Sequence, residues 1–288
     1  MDNKEKVSFL IITLNEEKNI RTCLESIKWS DDIAIVDSGS TDKTLDICKE
    51  YESVSMYYRK FDNYADQRNW LIDTHNFKND WIFIIDADEA LDEGLTSELQ
   101  NFQCPSDNIN AYSLRRKNFF MGKYMKYCGQ ADFYIPKLFR KGKGKFQNCS
   151  LKGIEKLDFE GDLGRLNNYL YHNNDKGLSD FIAKHNKYSD MESHVYYEAG
   201  KDINLLKSFL SKDPMKKEKF LKDLMIALPF KGFVMFFYLY IFKRGFLDGR
   251  EGFIFCMLKA FYFFMLEIKV IEIKQNKNLL STPEVNYD

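Results

Sequence analysis

Short, unbroken apolar runs, each ending in a polar cluster, punctuate the first third of the chain. Val7–Ile12, Ile33–Val36 and Trp81–Ile85 are rich in β-branched and aromatic residues, the pattern of strands buried on both faces, and Val54–Tyr58 reads as a further strand. Between them, apolar positions recur at helical spacing. Ile20, Leu24 and Ile27 mark a helix over about Lys18–Lys28, with Asn15 or Thr13 placed to cap it. A second helix is predicted over about Lys43–Tyr51, with Asp42 as its cap, and a third opens at Ala65–Leu71. Strand and helix in this alternation predict right-handed βαβ units and a mostly parallel α/β sheet. From about Leu178 onward the pattern becomes helical, and Leu228–Phe242 and Phe253–Leu266 are dense in Phe, Tyr, Leu, Ile and Met. Both are shorter than the roughly 20 residues needed to span a bilayer.

The chain of 288 residues is long enough for one large domain or a domain with an appendage. Its net charge of −1 gives no general attraction to nucleic acid, but the balance is uneven: the first 200 residues are acidic and the remainder basic. Basic residues beside aromatic-rich segments suggest helices lying in the interface of an anionic membrane. Lys212, Lys216, Lys217, Lys219, Lys222, Lys231, Lys259, Lys269 and Lys274 flank them, and Asn276–Asp288 reads as a polar tail. The six cysteines form no C-x-x-C pair, so reduced thiols are expected and no zinc ribbon or disulfide frame. Val7–Leu14 is too short for the apolar core of a signal peptide.

Candidate chemistry lies where the strands end. Trp81–Ile85 runs into Asp86-Ala87-Asp88-Glu89. Side chains alternate along a strand, so Asp86 and Asp88 are expected on one face, about 7 Å apart, at the carboxyl edge where open α/β sheets bind ligands. Two carboxylates there suit Mg²⁺ or Mn²⁺ bridging to phosphates. Asp37-Ser38-Gly39-Ser40-Thr41-Asp42 and Thr13-Leu14-Asn15-Glu16-Glu17 follow earlier strands and should crowd the same edge. Neither G-x-G-x-x-G after the first strand nor G-x-x-x-x-G-K-[ST] occurs, which argues against a dinucleotide site and a P-loop.

These stretches, taken in order with Asp66-Gln67-Arg68-Asn69, resemble the successive motifs of family 2 inverting glycosyltransferases of the GT-A fold. Arg116-Lys117-Asn118, Tyr134-Ile135-Pro136-Lys137-Leu138-Phe139-Arg140 and Gly245–Gly249 extend the likeness to the bacterial lipopolysaccharide inner-core branch, typified by β-1,4-glucosyltransferases. The resemblance implies a Rossmann-like, mostly parallel central sheet flanked by helices, with a helical, amphipathic carboxyl-terminal extension. It implies a GT-A catalytic domain over 1–175, donor half 1–100 and acceptor half 101–175, then a membrane-associating region over 176–288.

The resemblance also distributes roles. Thr13, Asn15, Glu16 and Asp37 would hold the nucleotide base. Gln67 and Arg68 would reach the diphosphate, Asp86 the ribose or the metal, and Asp88 a divalent cation, Mn²⁺ or Mg²⁺; Glu89 would stand behind them. A carboxylate would take the proton of the acceptor hydroxyl. Relatives often carry His-Glu where this chain has Ile154-Glu155, so Glu155 is the first candidate for the base and Asp132 the second. Arg116, Lys117 and Arg140 would face the acceptor or its phosphate. His172 reads as structural, and His185 and His194 as helix-surface residues. The implied reaction moves a sugar, glucose as first choice, from a UDP donor to a lipopolysaccharide core or other lipid-linked glycan, at the inner face of the cytoplasmic membrane. The alternatives are a non-catalytic membrane-bound scaffold, set against by the retained aspartates, and a haloacid-dehalogenase-type phosphatase. The phosphatase places D-x-D near its amino terminus and continues it with Thr or Val.

Overall fold

In the computed structural model, residues 6–130, 134–149, 154–173, 177–201 and 230–281 are described. The chain divides into two compact units, Met1–Lys126 with Gln130–Lys176, and Tyr127–Gly129 with Gly177–Asp288.

The first unit is built on β1 (Val7–Thr13), β2 (Ile33–Asp37), β3 (Val54–Tyr58) and β4 (Trp81–Ile84), followed by the short β5 (Glu89–Leu91). Helices α1 (Ile20–Ile27), α2 (Thr44–Cys48), α3 (Tyr64–Thr74) and α4 (Glu93–Gln100) connect or follow them. Then come β6 (Ile109–Phe120), β7 (Lys123–Tyr124), β8 (Tyr134–Arg140), β9 (Gly144–Cys149), β10 (Ile154–Phe159) and β11 (Asp162–Asn173). The main sheet runs β3-β2-β1-β4-β8-β6-β11-β5. Its first four strands are parallel, β8 enters antiparallel between β4 and β6, and β11 lies parallel to β6. This is the GT-A arrangement that the motifs imply.

Strand alternation divides the core into two layers. Phe9, Ile11, Ile33 and Ile35 pack on Ile20, Leu24 and Ile27 of α1 and on Leu95 and Leu99 of α4. Leu10, Ala34, Val36, Ile82 and Ile84 face α3 and the β9–β10 hairpin through Leu71, Phe146 and Leu157. Asn69 of α3 fastens that hairpin: its amide donates to the Phe146 carbonyl and its oxygen accepts the Phe146 N–H, each at 2.9 Å. At the opposite edge from the candidate site, Asp32 is buried and accepts from Ser8 Oγ, and it lies 2.9 Å from His75 Nε2.

The second unit contains α5 (Leu178–Lys201), α6 (Lys231–Phe237), a π-helical turn over Tyr238–Phe242, a 3₁₀ turn over Gly245–Asp248 and α7 (Gly249–Ser281). Gly232 lets α6 approach α7 closely, because a Cβ there would lie 2.7 Å from the Ala260 carbonyl oxygen. Phe253, Met257, Phe261, Phe264, Ile268 and Ile271 form an exposed apolar stripe along α7, while Phe255, Cys256, Tyr262 and Leu266 are buried on its other side. Among the described residues no helix is long and apolar enough to cross a membrane. The lysines from Lys212 to Lys222 and the end of the polar tail lie outside the described residues.

Candidate active site

The loops after β1 and β2 form one interlocked platform. Asn15 takes a left-handed backbone (φ 53°). Its N–H donates to Ser40 Oγ at 2.8 Å, and its side-chain oxygen accepts from the Thr41 N–H at 2.8 Å. The Glu16 N–H donates to Thr44 Oγ1, and the Glu17 N–H to Asp42 Oδ2. Asn15 therefore does not cap α1, as the sequence suggested; Asn19 occupies that position without a side-chain cap, and Thr13 is still in β1. Asp42, expected to cap α2, stands one residue before its N-cap Lys43 and accepts from the Thr44 N–H and hydroxyl.

Asp37, buried at the end of β2, accepts from the Gly39 and Ser40 N–H groups and from Ser40 Oγ. It shapes its own loop, with only its remaining lone pairs open to a ligand. Gln67 is likewise engaged, donating to Ser38 Oγ and the Arg59 carbonyl and accepting from Arg59. Thr13 Oγ1 is buried on this platform and has no hydrogen-bond partner, an orphan polar atom of the sort a ligand satisfies.

The acidic motif is a turn, which corrects the expectation that Asp86 and Asp88 share a strand face. β4 ends at Ile84; the Glu89 N–H donates to the Asp86 carbonyl at 2.8 Å, and the Asp86 N–H donates to Glu89 Oε2 at 3.0 Å. This reciprocal pair reverses the chain into β5 and points the two aspartates at different partners. Asp86 Oδ1 accepts from Arg68 at 2.5 Å, and Asp86 Oδ2 from Lys137 at 3.1 Å. Lys137 also lies 2.6 Å from Glu89, which Arg116 approaches at 3.4 Å. At the other end Arg68 pairs with Glu155, carried in by β10. Glu155–Arg68–Asp86–Lys137–Glu89–Arg116 is thus a chain of alternating charges, three of each sign. Burial acts to raise the Asp86 pKa, but Lys137 and Arg68 outweigh it and hold the carboxyl well below the usual range.

Lys137 reaches this position through a bulge. Tyr112 pairs with Leu138 and Ser113 with Pro136, so Lys137 is an extra residue on β8 opposite no partner on β6. Bulges re-aim side chains in this way, and here the re-aimed ammonium is buried among carboxylates.

Asp88 turns toward β11, where His172 Nε2 lies 3.3 Å from Asp88 Oδ2. Register places His172 opposite Glu89 on one side and Asn118 on the other. A carboxylate oxygen and an imidazole nitrogen this close fit a divalent cation that takes its remaining ligands from phosphate and water. Asp86 fits that task less well, both its oxygens being engaged by cations. Among the described residues no three His, Cys, Asp or Glu side chains form a complete cage. Cys23 Sγ is 3.7 Å from the Asp86 carbonyl oxygen; burial, then Glu89, Asp88 and Asp86, push its thiol pKa well up.

Of the remaining candidates, Arg116 enters the charge chain, whereas Lys117 alternates to the other face of β6. Arg140 does not approach the site. It pairs in register with Trp81, at the start of β4, because the antiparallel β8 runs away from the acidic turn. Asp132 lies outside the described residues. The sequence did not single out Lys137 as part of this site, and it read His172 as structural. Their signals were a lysine inside an apolar strand and a histidine closing one.

The profile of Glycosyl transferase family 2 matches residues 8–154, and the chain belongs to that family. It is similar to the lipopolysaccharide core biosynthesis glycosyltransferase LpsC of Rhizobium meliloti (strain 1021), 29% identical over 93% of each chain. An uncharacterized glycosyltransferase of Rickettsia felis is 26% identical over 98% of this chain and 96% of its own. Among solved structures, S. aureus TarS aligns over 88% of this chain and 90% of its own at 14% identity, with a TM-score of 0.44.

Proposed function

We propose that this chain is a metal-dependent inverting hexosyltransferase that moves glucose from UDP-glucose to a hydroxyl of a lipopolysaccharide core or related lipid-linked glycan. The observation that carries this reading is the acidic turn, where Asp88 stands beside His172 and Asp86 beside Arg68, at the edge where the β1 and β2 loops meet. The likeness to LpsC supports the core-glycan acceptor.

In this reading Thr13, Asn15, Glu16 and Asp37 border the base, with the unpartnered Thr13 hydroxyl as the open contact. Arg68 grips the diphosphate, for which a guanidinium is well shaped; Gln67 holds the loops and Asp86 orients Arg68. Asp88 and His172 would hold the divalent cation, which as a Lewis acid offsets charge on the leaving diphosphate. The diphosphate competes with Glu155 for Arg68, and the released Glu155 carboxylate accepts the proton of the acceptor hydroxyl. The acceptor oxygen bonds to the anomeric carbon on the face opposite the departing phosphate oxygen, which leaves with the bonding pair, so the configuration inverts.

The second unit serves as the membrane contact at the inner face of the cytoplasmic membrane. Its exposed Phe233, Phe237, Phe242, Phe261 and Phe264, with exposed cations at Lys243, Arg244 and Arg250, support this.

The test is a panel of UDP-, GDP- and ADP-sugars with Mn²⁺ or Mg²⁺, read as nucleotide release and, by calorimetry, as nucleotide binding, beside Asp88→Ala and His172→Ala. Metal-dependent binding of UDP and its sugars, lost in both variants, is expected. No metal-dependent binding of any nucleotide sugar would overturn the reading.

A further inference from the structure

The face of β6 opposite Arg116, with its neighbours on β8 and β11, carries a second arrangement that the donor site does not use. Register sets Tyr134, Arg115 and Tyr169 side by side across β8, β6 and β11, with Lys117 and Tyr171 one step further along. The Arg115 guanidinium lies 4.4 Å from the Tyr169 ring centre and 6.0 Å from that of Tyr134. Lys117 Nζ lies 4.0 Å from Tyr169 and 5.3 Å from Tyr171, and Arg165 sits 4.8 Å from Tyr134. Arginine, lysine and tyrosine thus interleave over three strands.

Two features separate this from an ordinary solvated basic surface. First, in a chain with as many acids as bases, none of these three cations pairs with a carboxylate among the described residues. Arg115 Nε is buried without a hydrogen-bond partner. Second, Arg115 and Lys117 are half-buried against the aromatic rings, which strengthens their pull on an anion, while Arg165 is exposed at the rim. The face also leads to the chemistry. Tyr171 and Phe119, their rings 5.6 Å apart, line a pocket of about 180 Å³ together with Asp88, Glu89, Lys18 and Asn19.

We propose that this cation–tyrosine face binds the acceptor, and that the acceptor is an anionic glycan, its phosphate or carboxylate groups on Arg115, Lys117 and Arg165 and its sugar rings against the tyrosines. The proposal rests on the glycosyltransferase reading and adds the chemical class of the substrate. A glycan fits because tyrosine rings offer flat apolar surfaces to the C–H faces of pyranoses, while the cations select for charge. The face ends at the acidic turn, where the acceptor hydroxyl has to arrive.

The test uses the full-length protein and three labelled probes of equal length: a neutral glucose hexasaccharide, the same chain bearing a phosphate monoester, and hexagalacturonate. Wild type is expected to bind at least one anionic probe tenfold or more tighter than the neutral one. Preference for phosphate or for carboxylate then names the anionic group, and either supports the proposal. Arg115→Gln with Lys117→Gln should abolish the difference, Lys117→Arg should keep most of it, and Tyr169→Ala should weaken all three probes. UDP binding with Mn²⁺ should stay unchanged in these variants. Equal binding of neutral and anionic probes by wild type, or an undiminished preference in the double variant, would overturn the proposal. Loss of UDP binding in wild type with the anionic preference intact would instead overturn the donor-site reading, so the two failures are distinguishable.

Discussion

Lys137 is the residue on which the charge chain turns, and replacing it by methionine isolates its contribution. Its side chain is 7% exposed and bridges Asp86 to Glu89, whose own side chain is fully buried. Methionine keeps the volume and removes the ammonium, leaving Glu89 with Arg116 at 3.4 Å and the Asp86 N–H. Breaking a buried ion pair by removing one partner costs about 3–5 kcal/mol; the remaining contacts place the cost near the lower end. At about 2–4 °C per kcal/mol for a unit of this size, the melting temperature should fall by roughly 6–12 °C. Glu89→Gln removes the other partner, so the double variant should lose less than the sum of the singles, by about 0.5–3 kcal/mol. The assay is calorimetric unfolding of wild type, both single variants and the double. A loss below about 1 kcal/mol for Lys137→Met, together with strict additivity in the cycle, would refute the claim that these buried charges hold one another.

Asn69→Ala removes both hydrogen bonds to Phe146 and should cost about 1–3 kcal/mol at roughly 0.5–1.5 kcal/mol per bond; faster amide exchange confined to the β9–β10 hairpin checks it. Asp32 is the acid-sensitive carboxylate. Burial acts to raise its pKa, but Ser8, His75 and the Lys78 N–H outweigh that and hold it below the ordinary value. A depressed folded-state pKa contributes stability above the unfolded value near 3.9 and loses it as pH falls through the folded one. The stability gap between wild type and Asp32→Asn, measured by denaturant titration, should therefore be full at pH 7 and close progressively below about pH 4. Cys23, its thiol pKa raised by burial and by the acidic turn, should resist iodoacetamide in the native protein and react only on unfolding; rapid native alkylation, read by mass spectrometry, would contradict its burial.

What the sequence made legible depended on period and type. The starts of β1, β2 and β4 follow from apolar runs alone, because strands buried on both faces need no alternation to be seen, while the span of β3, a half-exposed edge strand, follows from its β-branched and aromatic residues. The site's geometry was less accessible wherever a single hydrogen bond or inserted residue overrode the period. Asp86 and Asp88 are two apart and would share a face on any strand, but Glu89 folds back onto the Asp86 N–H and ends the strand early. Lys137 is invisible to a period of two because the bulge adds one residue. Arg140 was misplaced for a topological reason: its strand is antiparallel, and direction is not written in the local pattern. Arg116 and Lys117, adjacent in sequence, separate onto two faces, and that separation links one to the charge chain and the other to the tyrosines.

The alternating chain also orders what an incoming diphosphate can displace. Asp86 is held by two cations. Glu89 is held by Lys137, Arg116 and a backbone N–H. Among the described residues Glu155 has Arg68 as its partner, and its second oxygen is buried with none. A diphosphate that draws Arg68 away leaves Asp86 still paired with Lys137, whereas Glu155 loses its ion pair, so Glu155 is the carboxylate whose state depends on Arg68 alone. In the proposed reaction that carboxylate is the one that must accept a proton, and a buried carboxylate that has lost its counter-charge binds a proton more readily. In that reaction the same pairing would keep Glu155 engaged until a donor is bound, so the base would become available only when there is a leaving group for it to serve.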